Sequence, residues 1–323
     1  MSHAASLPLR DRWLTILASF WFIGGLFLDG WAHNHLAELE TFFTPWHAVF
    51  YSGYAALALT LLGVTWKERR ERAWREAIPR GYGWALAGIG IFFVGGIGDM
   101  LWHELLGVEA DIEALLSPTH LILAAGMTLM LSAEWRAWQL SPASERAGAA
   151  RQLPMILSLT FVVSLVAFMT QFAHPVDLPA ADPDTGASLA IAGYLLQSLF
   201  LTGAVLTAAR RSRLFPGALT LLLTVHMLGM GLMRDGVILV PAACLAGAIL
   251  DLALARLQPL TGGRLRLFCF LLPTTFFALY TATLLLTAGT WWSIHLWAGA
   301  IVLPGLAGFL LGTVAEPVAE AGH

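Results

Sequence analysis

The segment Phe22–Tyr51 holds the run FIGGLFLDGWAH and, after a loop, the run TPWHAVFY. Its distinctive positions are Gly24-Gly25, then Asp29 and His33, then Thr44-Pro45-Trp46-His47. The same order returns about 70 residues later: Gly95-Gly96, then Asp99 and His103, then Ser117-Pro118-Thr119-His120. Asp and His at i and i+4 share one face of a helix, one turn apart. Thr44 and Ser117 are N-cap residue types, and Pro45 and Pro118 suit the first helical position. His47 and His120 then fall in the first turn. Each copy therefore reads as two helices that bring one carboxylate and two imidazoles to a common level. On the ~1.5 Å rise per residue, that level is one or two turns inside the helix ends.

Working outward, the composition sets the class. The 323 residues are 58% hydrophobic and 12% charged, with 13 Trp; the mean hydropathy is +0.71. Apolar runs of about 20 residues recur, which is the length a bilayer demands. Met1–Arg12 is polar and leads into a full-length apolar run without a small-residue cleavage site, so a secretory signal peptide is not expected. Cys244 and Cys269 both sit in apolar runs and read as buried small hydrophobes rather than a disulfide or zinc framework. No nucleotide-binding loop, Ser-His-Asp pattern or HExxH is present.

Ten spans are predicted, near 13–35, 45–66, 82–106, 118–138, 153–173, 188–209, 215–233, 236–256, 266–288 and 291–313. The expected fold class is thus an all-α integral membrane protein of about ten transmembrane helices, the first four forming two parallel two-helix repeats. Residues 1–140 read as the duplicated metal-binding region and 141–323 as a six-helix membrane region, both in one continuous membrane domain. With both termini cytoplasmic, Arg234 alone of the 18 Lys and Arg falls on the outer side. The positive-inside rule then places both triads toward the extracytoplasmic face of a plasma (inner) membrane. The outer loops are acidic, with Glu38, Glu40, Glu104, Glu109, Asp111, Glu113, Asp177, Asp182 and Asp184, and read as a solvated rim, the alternative being a field that attracts cations to the outer face.

An ionisable group inside a membrane span is a functional candidate by default. Asp29, His33 and His47, and Asp99, His103 and His120, are each a ligand set suited to zinc, copper or non-haem iron. His226, Met227, Met230 and Met233 add soft donors on one helix and favour copper slightly. Haem between two histidines is a rival, although it has no use for the Asp that accompanies His in both copies. Arg234 and Asp235 are expected to neutralise each other, and Asp251 to pair with Arg256. The expected partners are membrane lipid and either other membrane subunits or further copies of the chain, with no nucleic acid.

The order Asp-x3-His, loop, His, repeated after about 70 residues, resembles the copper-binding membrane subunit of particulate methane and ammonia monooxygenases. The resemblance covers about residues 20–125. In that family an Asp-His-His site and an Asn-His-His site lie close together near one face of the bilayer. The resemblance implies copper at Asp29, His33 and His47 and at Asp99, His103 and His120, and oxygen chemistry on a small apolar substrate. Glu104 is then a candidate base beside the second set. The chain departs from the family in carrying Asp99 instead of Asn, and in a longer loop before His120 than before His47. The alternatives are a copper or zinc transport or handling protein, a haem-binding electron carrier, and a zinc-dependent membrane hydrolase.

Overall fold

The computed structural model describes residues 7–36, 42–69, 74–107, 111–176 and 186–316. Among the described residues the fold is all helical, with no strand. The principal helices are α1 (Leu9–His35), α2 (Pro45–Arg69), α3 (Gly83–Leu106), α4 (Pro118–Leu131), α5 (Ala133–Leu140) and α6 (Ala149–Met169). They continue as α7 (Ala187–Ala209), α8 (Ala218–Met233), α9 (Val240–Leu257), α10 (Gly262–Leu286) and α11 (Ile294–Val314). Among the described residues, eight helical stretches are long and apolar enough to cross a membrane; α4 and α8 are apolar but shorter. Of the acidic loop residues, Glu38, Glu40, Glu109, Asp177, Asp182 and Asp184 lie outside the described residues.

The fourth apolar run, expected as one helix over 118–138, is divided at Ser132 into α4 and α5. The cause is a side chain from another helix. Ser158 of α6 donates its hydroxyl to the Leu131 carbonyl (2.5 Å) and accepts the Trp135 amide (3.1 Å). Those two groups would otherwise bond each other across one helical turn, so the inserted hydroxyl breaks the ladder.

The chain forms two compact units: Met1–Thr170 with Leu228–Asp235, and Gln171–Met227 with Gly236–His323. In the first, α1 packs on α2 and α3 packs on α4, while α6 lies against α1, α4 and α5. The two hairpins use the same contacts. A methyl group placed on Gly25 would stand 2.7 Å from Phe50 Cα, and one on Gly53 would stand 2.6 Å from Phe22 Cα. In the second hairpin, a methyl group on Gly95 would stand 3.1 Å from the Leu123 amide, and one on Gly126 would stand 2.6 Å from the Phe92 amide. Gly25 and Gly95 each lie four residues before the Asp, and Gly53 and Gly126 each lie six after the second His. Small residues at these points let the backbones touch, the usual device for close helix packing in membranes. The hairpins then meet through equivalent residues: Phe22 and Phe92 are both fully buried, with ring centroids 5.0 Å apart, edge to face. Contact between equivalent positions is what a local twofold relation between the copies produces.

The opposite end of this unit carries the charges. Buried Glu134 accepts from Arg12 Nε (2.6 Å) and from the Tyr82 hydroxyl, and Lys67 pairs with Asp11 (2.8 Å). Between these polar ends the helices bury an apolar stack of Phe22, Phe50, Tyr54 and Phe92.

In the second unit α11 packs on α10 and α7. Tyr194, Phe277, Tyr280 and Trp292 form its aromatic cluster. Asp251 does not pair with Arg256 as the sequence suggested. Its carboxylate accepts the Leu219 and Thr220 amides, both at 3.0 Å, and the Thr220 hydroxyl at 2.7 Å. It thereby satisfies orphan donors at the start of α8. Cys269 is buried, whereas Cys244 is exposed on α9, contrary to the sequence reading.

Candidate metal centre

The first triad is built by the end of α1 and the start of α2. Asp29 and His33 lie one turn apart, with His33 Nε2 3.8 Å from Asp29 Oδ2. Thr44 Oγ1 accepts the His47 amide (3.1 Å) and so caps α2 with His47 in its first turn. His47 Nε2 stands 3.5 Å from the same Asp29 Oδ2. The second triad repeats this construction. Ser117 caps α4 by accepting the His120 amide (3.4 Å), and His103 and His120 direct Nε2 at Asp99 Oδ1 from 3.5 and 3.2 Å. In each triad one ligand atom per residue lies within 4.8 Å of the others. Two donors on one tetrahedral ion with bonds of ~2.0 Å are about 3.3 Å apart, so these spacings are those of a ligand cage.

A backbone contact holds the His47 ring so that its Nε2 can act as a ligand. His47 Nδ1–H donates to the Phe42 carbonyl at 2.7 Å, which leaves the lone pair on Nε2. His120 Nδ1 lies 2.7 Å from Ser117 Oγ, which holds the orientation of that ring. Among the described residues, Asp29 Oδ1 and His103 Nδ1 are buried without a hydrogen-bond partner. A desolvated carboxylate oxygen is costly unless something compensates it, and a cation among the three ligands does so. The donor set and the orphaned oxygen both fit a metal ion. Asp29, His47, Asp99 and His103 are buried or nearly so, His120 is half-buried, and His33 is exposed.

The two triads are neighbours. The Phe42 ring stacks on His47 with centroids 5.0 Å apart and lies 6.2 Å from His103. Tyr51, one turn beyond His47 on α2, reaches across to the second copy and places its hydroxyl 3.5 Å from Asp99 Oδ2. Gly96 makes room for it, since a methyl group there would stand 3.0 Å from the Tyr51 ring. Thr119 donates to Asp99 Oδ1 at 3.3 Å. The copies differ at these positions. Trp46 stands where the second copy has Thr119, and Ala124 where the first has Tyr51. Asp99 therefore has a hydroxyl at each oxygen, while among the described residues Asp29 keeps one oxygen unpartnered.

Phe42, Tyr51 and Thr119 were not among the residues singled out from the sequence. Thr119 lies inside the Ser-Pro-x-His motif, and Tyr51 is four residues past His47 on the same helical face, so both had a local signal. Hydrogen-bonding partners of a ligand typically change metal affinity 10–100-fold when removed. Tyr51→Phe is accordingly expected to weaken the second triad roughly tenfold and to leave the first near its starting affinity. Metal titration of the variant in backgrounds lacking the histidines of one triad or of the other reads both affinities. An unchanged affinity removes Tyr51 from the site.

Other candidates have different roles. Glu104 is exposed in the last turn of α3, about 100° round the helix from His103. His295 is exposed at the start of α11. Met227, Met230 and Met233 are fully buried, and the Met233 sulfur packs over Gly30 in the first unit. His226 faces His174, with ring centroids 5.7 Å apart. His174 accepts the Val176 amide at Nδ1 (3.2 Å), and burial, then its neighbour His226, pushes its pKa well below the ordinary imidazole value. Arg234 and Asp235 each also find a partner outside their own turn. Arg234 donates to Asn34, and Asp235 pairs with His35 Nε2 at 2.8 Å, fastening this turn to the end of α1.

No family model, no curated protein and no solved structure matches the chain. Helices able to span a membrane and two Asp-His-His groups able to hold metal define the molecule as far as fold and site go.

Proposed function

We propose that this is an integral membrane metalloprotein that holds one metal ion in each Asp-His-His triad at its extracytoplasmic face, with copper the favoured metal. The observation that carries this reading is the convergence of four imidazole Nε2 atoms on two carboxylates at 3.2–3.8 Å. Copper is supported by the imidazole-rich sets and by the sequence resemblance. Sidedness is supported by the basic residues gathered at the end opposite the triads.

As an enzyme, the protein would act as a monooxygenase on a small apolar substrate arriving from the bilayer. The metal would supply dioxygen activation. Inserting one oxygen atom into a C–H bond and reducing the other to water consumes two electrons and two protons, so an external electron donor is required. The chain's own residues have defined tasks in this reading. The imidazoles and carboxylates hold the ions, Phe42 and the Phe22–Phe92 stack provide a dry floor, and Tyr51, Thr119 and Ser117 orient ligands. Glu104, at the exposed end of α3, would exchange protons with solvent. The exposure of His33 favours a second reading, a site that accepts copper or zinc from outside for transfer.

Metal analysis of the purified protein with an optical spectrum tests the proposal. About two copper per chain is expected. A Soret band would transfer the assignment to haem, and stoichiometric zinc to hydrolysis or zinc handling. A chain that takes up no metal from any of these sources refutes the metalloprotein reading.

A further inference from the structure

A cavity of about 470 Å³ opens at the end of the first unit opposite the triads, about 30 Å along α1 from Asp29. Arg12, Arg80 and Arg151 line it, together with Glu134 and Glu145. The charges do not cancel. Glu134 is engaged by Arg12 and by the Tyr82 hydroxyl. Glu145 forms an ion pair with Arg80 at 3.7 Å. Arg151 is exposed and gives its backbone carbonyl to Arg12 (3.2 Å). Three guanidinium groups against two carboxylates leave the cavity with one positive charge in excess. The first turns of α1 and α6 also reach the lining, through Leu9 and Ala150, and their dipoles add to the same field.

The wall is not polar throughout. Leu7, Leu9 and Trp138 contribute an apolar side. A free inorganic anion gains nothing from such a side, whereas a ligand with a phosphate and a hydrocarbon chain uses both. This is also the end at which the basic residues gather, and basic pockets between helices on the cytoplasmic side are suited to anionic lipid head groups. From these observations we infer that the cavity is a binding site for an anionic phospholipid. Arg80 and Arg151 take the phosphate diester oxygens, and Leu7, Leu9 and Trp138 take the start of an acyl chain. Arg12 stays with Glu134 and fixes the wall between them. The inference is independent of what the triads bind.

The test is lipid retention by the full chain, measured by native mass spectrometry after exchange into detergent with phosphatidylglycerol or phosphatidylcholine. Each arginine near a phosphate is expected to favour the anionic lipid about fivefold. Wild type should therefore retain phosphatidylglycerol preferentially. Arg151→Ala, at an exposed residue with no part in the Glu134 ion pair, should lower that preference about fivefold, and Arg80→Ala with Arg151→Ala should abolish it. Elution and helix content that match wild type identify folded variants. Equal retention of the two lipids by wild type, or a preference unchanged in folded Arg151→Ala and in the double variant, overturns the proposal. Displacement of the lipid by millimolar inorganic phosphate also overturns it, because the ligand would then be the free anion.

Discussion

If the triads hold metal as proposed, alanine at His33 and His47 is expected to remove one of two ions, and alanine at His103 and His120 the other. Each pair of substitutions strips a triad to a single carboxylate, which cannot hold a transition metal by itself against water. Removing only a partner that orients a ligand costs 10–100-fold in affinity, so losing two of three ligands should exceed about 100-fold at the altered triad. The measurement is metal content and binding isotherm for each double variant. His35→Ala is the matched control. That imidazole is beside His33 in sequence, but its Nε2 is bonded to Asp235 and its Nδ1 to the Trp31 carbonyl. It should leave both ions in place. The triads are close enough to share Phe42 and Tyr51, so their affinities are not expected to be independent. Emptying the first should shift the isotherm of the second. Two ions retained in both double variants would reduce the triads to hydrogen-bonded helix ends.

The carboxylates and imidazoles were legible because their placement depends on local rules. The i, i+4 spacing fixes Asp29 with His33 and Asp99 with His103, and the Thr-Pro and Ser-Pro caps fix His47 and His120. What escaped depends on partners distant in the chain. Ser158 breaks the fourth apolar run from 23 residues beyond Trp135, and no local pattern near Ser132 announces it. Asp235 finds His35, and Arg234 finds Asn34, across 200 residues, although the two stand side by side in a turn. Tyr51 acts on a carboxylate 48 residues away. The doubled glycines are the most instructive case. As letters, Gly24-Gly25 and Gly95-Gly96 look equivalent, yet relative to the Asp they are shifted by one residue. Packing uses the register set by the Asp: Gly25 matches Gly95, and Gly96 serves Tyr51 instead.

That register makes a sharp expectation for two adjacent residues. Gly24→Ala should be neutral or stabilise the protein by up to about 1 kcal/mol, because alanine is the better helix former. Among the described residues, a methyl group at Gly24 meets nothing within 4 Å. Gly25→Ala adds the same methyl group and should destabilise by about 1–3 kcal/mol, the range for overpacking a close contact. Its Cβ would lie 2.7 Å from Phe50 Cα and 3.2 Å from the Val49 carbonyl oxygen, and backbone atoms cannot turn aside as a side chain can. Relief requires α1 and α2 to separate. Asp29 is one turn beyond Gly25 on α1, and His47 is one turn before Phe50 on α2, so separation also widens the 3.5 Å spacing between their ligand atoms. Gly25→Ala should therefore lose both unfolding free energy and affinity at the first triad, while Gly24→Ala keeps both. Denaturant unfolding and metal titration on the two variants decide it. Equal behaviour of the pair would mean that the hairpin is not held by backbone contact at Gly25, and the shared register of the two copies would lose its structural meaning.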